Sequence, residues 1–177
     1  MSSFSSRPRA GFTTMELLIG VVIVGILAAL AIPSFKGYVY RSRVSEGVSM
    51  LNEIKTRQES YRAKYGQYAA VSGNGDWNAA VFNPGGNPGA NAVGWTPTAN
   101  WDALGASPPG PVRFRYATVA GGPGDPVPAG SNMRNDDFWF AARAQGDLDG
   151  DGDLMVLEVY SQSMRMFNSA TSDGGYE

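Results

Sequence analysis

The sequence predicts an α+β fold in which a long amino-terminal helix lies on an antiparallel sheet of three or four strands. Leu17 to Phe35 is apolar and holds no ionisable side chain. Beyond it, Val44, Val48, Leu51, Ile54, Tyr61 and Tyr65 recur at spacings near three and four, the period of one helical face. Residues 111–160 then hold short alternating or β-rich runs separated by glycine-rich turns, the pattern of paired strands.

The apolar run is long enough to cross most of a ~30 Å hydrocarbon layer as a helix. Gly20, Gly25 and Pro33 weaken a helix in water but are tolerated in lipid. Glu16, at the edge of this run, is a carboxylate that needs a partner. Three readings of it stay open on the residues alone. Thr13 and Glu16 fit a capping box, with Thr13 as the cap and the carboxylate reaching back to its amide. Arg7 and Arg9 before the run, with Ala29-Leu30-Ala31 as a cleavage-like triplet, fit an ordinary secretory signal. Pro33 so soon after such a cut, and apolar residues as far as Phe35, fit that reading less well. Cleavage after Gly11 would instead turn Phe12 into a cationic amine that a neighbouring subunit's Glu16 could neutralise.

The amphipathic half of the helix is expected to end near Gly66, a helix-stopping glycine. From Phe12 to Tyr65 such a helix measures roughly 80 Å. After it comes a Gly-, Asn- and Pro-rich stretch, 67–111, predicted to be an ordered loop with one helical turn at Asn100 to Leu104. Trp77, Trp95 and Trp101 read as anchors pinning that loop to the head, in preference to a ligand-binding aromatic site. Pro111 to Val119 alternates, with Val112, Phe114, Tyr116 and Thr118 on one face. Phe138 to Ala144 and Leu154 to Tyr160 predict a hairpin, and Met164 to Phe167 a last strand or extended tail.

The hairpin turn carries the one motif with ligand chemistry. Asp147, Asp149 and Asp151 occupy positions 1, 3 and 5 of a calcium-loop pattern, Gly152 position 6 and Glu158 position 12. Calcium takes six to eight oxygens at about 2.3–2.6 Å, and alternate acids on a tight turn can supply several. The bland alternative is a solvated acidic turn whose glycines supply positive φ. Because the flanks read as strands, Asp147, Asp149, Asp151 and Asp153 are better placed for calcium than Glu158.

Composition narrows the function. The chain of 177 residues has room for one ordinary domain beside the apolar helix. It has no cysteine and no histidine, so disulfides, thiol chemistry, the commonest general base and the commonest zinc ligand are excluded. No nucleophile motif appears, and the sequence reads as a non-enzyme. Its 14 Lys and Arg against 16 Asp and Glu give a net charge of −2, which offers no general footprint for nucleic acid. Arg7 and Arg9 on one side of the apolar run balance Lys36, Arg41 and Arg43 on the other, so charge does not orient it.

The string Gly11-Phe12-Thr13-Thr14-Met15-Glu16, followed by an apolar stretch with Pro33, resembles the class III signal of type IV pilins and pseudopilins. The short leader and the Phe start resemble the type IVa group. The resemblance implies the type IV pilin fold, with a prepilin leader at 1–11, a membrane and filament-core helix at 12–35, its amphipathic half at 36–66, the loop at 67–111 and a sheet head at 112–177 with the acidic loop at 147–153. It implies cleavage between Gly11 and Phe12 by a prepilin peptidase, N-methylation of Phe12, and a homo-oligomeric helical filament in which Phe12, Glu16 and Pro33 serve assembly. Gly25 to Pro33 is expected to lose helical order on assembly, and the loop at 67–111 to contact other subunits. The precursor is expected in the inner membrane with the assembly machinery, and the product in an extracellular pilus serving adhesion, motility or DNA uptake. Many such heads clamp their carboxy-terminal loop with a disulfide and some pseudopilins with calcium. This chain lacks the cysteine pair, which leaves a metal clip as the substitute. The alternatives are a pseudopilin of type II secretion, favoured by the calcium-type loop, and a membrane-tethered calcium-binding head that does not polymerise.

Overall fold

The computed structural model describes residues 11–169; residues 1–10, most of the expected leader and with them Arg7 and Arg9, lie outside the described residues, as do residues 170–177. The chain divides into two units after Val39, and one helix, α1 (Thr14–Tyr65), contributes to both.

In the first unit α1 carries the apolar run and is assigned as continuous helix through Pro33. Its side chains are exposed all round, Leu17 and Val24 at 65% and Leu30 at 70%. A helix that is apolar on every side has to be covered by lipid or by other helices. It is long and apolar enough to cross a membrane.

In the second unit the helix is amphipathic, as its spacing predicts, except at its end, where Tyr65 is 54% exposed and lies against Tyr61 instead of the sheet. Val44, Met50, Leu51 and Ile54 are buried in one cluster with Phe114, Tyr116, Phe140, Ala142, Ala144 and Leu157 of the sheet. Leu51 and Ile54 are fully buried, and each such side chain stabilises the fold by roughly 2 kcal/mol. Gly47 sets the approach of helix to sheet. A β-carbon there would lie 2.9 Å from Leu157 Cδ1 and 3.0 Å from Phe114 Cε2. The helix stops where expected: Gly66 takes a φ of 75° and donates its amide to Arg62 O at 2.8 Å.

The sheet is antiparallel throughout, with β1 (Arg115–Gly121), β2 (Trp139–Gly146), β3 (Met155–Tyr160) and β4 (Phe167–Asn168) in sequence order. β1 starts later than its alternation predicts, because Val112 leaves the ladder and pairs with Val93 of the loop. β4 is only two residues long and begins at the end of its predicted segment.

The sequence does not reveal that the sheet is buried on both faces. Val119, Trp139 and Ala141 form a second small core under Trp77, Ala80, Val127 and Met133. The long loop makes this possible by attaching along the β1 edge. Ser72 N donates to Thr118 O at 2.9 Å, and Asn83 and Tyr116 exchange amide bonds at 2.8 and 2.7 Å. Unpaired edge groups are thereby satisfied. The predicted helical turn is α2 (Ala99–Leu104), capped by Thr98 and closed by Gly105 in the left-handed region. The tryptophans act as anchors. Trp101 is buried, Trp95 meets it edge-on at 5.2 Å, and Trp77 lies on the Arg143 guanidinium at 4.3 Å.

The Tyr116 hydroxyl is buried and has no hydrogen-bond partner among the described residues. Burial, then the charge of Glu46, pushes its pKa far above the ordinary 10.0. A raised pKa means the stabilisation is complete below the unfolded value and is lost as pH rises toward the folded one. Tyr116→Phe is therefore expected to leave neutral stability unchanged or raise it by about 1 kcal/mol, and to flatten the loss above pH ~10. Tyr160, also raised by burial and by its bond to Glu158, keeps part of the slope. Denaturant unfolding at neutral and alkaline pH checks this; unchanged alkaline sensitivity in the variant rules it out.

Candidate functional site

Two regions carry the candidate chemistry, and each belongs to a different unit. At the start of α1, Gly11, Phe12 and Thr13 precede the first helical residue. Thr13 and Glu16 form the capping box in full. Glu16 N donates to Thr13 Oγ1 at 3.2 Å, and Glu16 Oε2 accepts from Thr13 N at 2.9 Å and from Thr13 Oγ1 at 2.8 Å. Glu16 remains exposed, as does Phe12 at 85%. The carboxylate thus has a local role in this chain and still presents its charge outward. Gly11 is exposed, and among the described residues nothing lies within 4 Å of where its β-carbon would sit.

The second region is the β2–β3 turn. Gly150 and Gly152 adopt φ of 85° and 97°, which fold the chain back sharply enough for Asp147 to accept from both of their amides, at 2.7 and 3.1 Å. Asp151 accepts from Asp153 N at 2.8 Å. Asp147, Asp149 and Asp151 bring one carboxylate oxygen each within 4.8 Å of one another. Two oxygens bound to one calcium are separated by at most about 5 Å, twice the bond length, so this spacing fits that ion. The amide bonds to Asp147 leave further lone pairs on both of its oxygens.

Asp153 lies on the same turn, exposed, but outside this grouping. Glu158 is drawn elsewhere. Paired directly across from Arg143 in the β2–β3 ladder, it takes the Arg143 guanidinium in an ion pair and accepts from the Tyr160 hydroxyl. It is 6% exposed. The twelve-residue pattern counts Glu158 as a ligand because it presumes a helix after the loop, and a strand carries the chain away instead.

Several polar residues that hold the turn and the loop were not singled out from sequence. Arg43 Nη1 donates to Leu148 O at 2.5 Å, tying the helix to the acidic turn. Glu46 Oε1 accepts from Arg113 N at 2.7 Å. Arg115 stacks on Phe82 at 4.8 Å and bonds Gln145 and Gly86 O. Gln58, fully buried, bonds Ala69 N and O and the Thr118 hydroxyl. Only Gln58 left a readable trace, a polar side chain on the helix's apolar face, four residues after Ile54.

About half of the chain is similar to fimbrial subunits of known identity. It is 43% identical over 94 residues to the type IV major fimbrial protein FimA of Dichelobacter nodosus strain VCS1703A, covering 49% of this chain and 58% of that protein. Another Dichelobacter nodosus FimA is 55% identical over 47 residues, 27% of this chain and 29% of its own length. The chain thus spans little more than half the length of the first of these relatives. No family model matches it. No solved structure matches it either.

Proposed function

We propose that this chain, which belongs to the type IV pilin family, is a structural subunit that polymerises through α1 into a surface pilus. The carrying observation is the exposure of α1 on every side from Leu17 to Leu30, joined to an outward Glu16 and to Gly11 and Phe12, both exposed, just before it. A helix of this kind is stable in lipid before assembly and among identical helices afterwards. In this reading a prepilin peptidase cuts after Gly11 and methylates Phe12. The assembly machinery of the inner membrane then draws the subunit into a filament of many copies at the cell surface. The subunit performs no catalysis.

Filaments sheared from producing cells test the proposal. An abundant N-methylated Phe12 terminus in the sheared fraction, identified by mass spectrometry, is the expected result. The same terminus confined to membranes would point to a pseudopilin or scarce subunit, and a terminus after Ala31 would overturn the whole reading.

The proposal extends to calcium at the β2–β3 turn, held by Asp147, Asp149 and Asp151 with Asp153 beside them. The oxygen spacing supports it, and in a chain without cysteine the ion would be a clip on the head in place of a disulfide. Ligand bound only by the folded state stabilises it by about 2.7 kcal/mol at 100 times its dissociation constant. Titrating calcium into chelator-treated protein is expected to raise the unfolding temperature, and Asp149→Ala to remove the rise. An equal rise in that variant would count against the site.

A further inference from the structure

We infer that Asn74 is a self-modification site at which the chain deamidates through its own backbone. Asn74 is the one asparagine in this chain followed by glycine. It is exposed, it sits in irregular structure, and the Gly75 amide donates no hydrogen bond among the described residues. These are the conditions the chemistry needs: a free amide nitrogen, and no β-carbon on the following residue to obstruct its approach.

The other asparagines lack one or both. Asn83 and Asn87 precede prolines, whose nitrogens carry no hydrogen to lose. Asn52 and Asn100 lie in α1 and α2. Asn78, Asn91, Asn132, Asn135 and Asn168 are followed by residues with side chains.

The step balances without oxidant or reductant. The Gly75 nitrogen attacks Asn74 Cγ; the N–Cγ bond forms, the Cγ–Nδ2 bond breaks, and ammonia leaves with the proton lost from the Gly75 amide. Water then opens the imide. Attack at the side-chain carbonyl gives aspartate, and attack at the main-chain carbonyl gives isoaspartate. Either product adds one negative charge, and isoaspartate adds a methylene to the backbone.

The site has little slack for that methylene. A β-carbon on Gly75 would lie 2.4 Å from Pro126 O and 3.5 Å from the Trp139 ring. The same stretch of chain brings Trp77 and Ala80 onto the second core of Val119, Trp139 and Ala141. Lengthening the backbone at residue 74 therefore loosens the cover of one sheet face, and it does so irreversibly as the molecule ages.

The test incubates the full protein in mildly alkaline and mildly acidic buffer, then maps each asparagine by peptide mass spectrometry with fragmentation that distinguishes isoaspartate. Conversion at Asn74 is expected to run about tenfold or more ahead of every other asparagine, because only there is the next residue free of a β-carbon. It should accelerate with alkalinity, and amide hydrogen exchange around Trp77 and Val127 should rise in step with isoaspartate. Asn74→Gln, an exposed change, should abolish both. Asn74 remaining intact, or converting no faster than Asn78 or Asn91, overturns the inference. Exchange rising equally in Asn74→Gln overturns its structural consequence.

Discussion

Replacing Glu16 with glutamine is expected to abolish incorporation into filaments while leaving the head folded. The substitution separates the capping bonds seen in the structure from the assembly role proposed for this side chain. A glutamine oxygen can still accept from Thr13 N, so the capping box survives. What disappears is the outward charge, the feature that the proposed pairing with a neighbour's Phe12 amine requires. A lone amine left among apolar helices has no counter-ion, and a buried unpaired charge is among the costliest of defects. Recovery of sheared filaments, compared with helix content and membrane abundance of the variant, is the measurement. Normal filaments from Glu16→Gln would reduce Glu16 to a cap and leave the alternative of a tethered head that never polymerises.

Glu158→Ala is expected to destabilise the head by ~3 kcal/mol, because it breaks a largely buried ion pair from one side. Arg143 has only 20% of its side chain exposed and would be left without its carboxylate beneath Trp77, and the Tyr160 hydroxyl would lose its acceptor. Replacing both partners, as Arg143→Met with Glu158→Leu, should recover much of the loss, since an apolar pair carries no desolvation penalty. Equilibrium denaturation of the three variants measures this. A single-variant loss below about 0.5 kcal/mol, the range of an ordinary surface change, would show that the pair contributes little. The same series bears on the calcium proposal. Asp149→Ala should remove calcium-dependent stabilisation, whereas the double replacement at positions 143 and 158 should retain it.

Much of the fold is legible because it rests on local periodicity. The apolar run, the three-and-four spacing from Val44 to Tyr61, the stop at Gly66 and the two strands around the acidic turn each follow from residues close in sequence. The capping box between Thr13 and Glu16 spans a single turn and is equally readable. The hairpin's register was within reach too. Centring the turn on Gly150 and Asp151 sets Arg143 opposite Glu158, which already hints that the glutamate has a partner other than a metal.

The loop from 67 to 111 resisted reading because its bonds are long-range. Nothing near Asn83 says that it pairs with Tyr116, and nothing near Arg115 says that it stacks on Phe82. Gly89 shows the difficulty well. Its backbone approaches Asp147 so closely that a β-carbon would sit 1.8 Å from the Asp147 carbonyl oxygen, yet in sequence it is one glycine among 23.

Sequence alone therefore determined the class of fold, the Thr13–Glu16 capping box at the head of the apolar helix, and the acids grouped on one turn, since each is encoded within a few residues or one helical period. Tertiary structure decided which acids stay together, that Glu158 belongs to Arg143, and that a loop without regular structure covers the second face of the sheet. Those outcomes depend on which distant backbone and side-chain groups satisfy one another once water is excluded, and that pairing exists only in the folded chain.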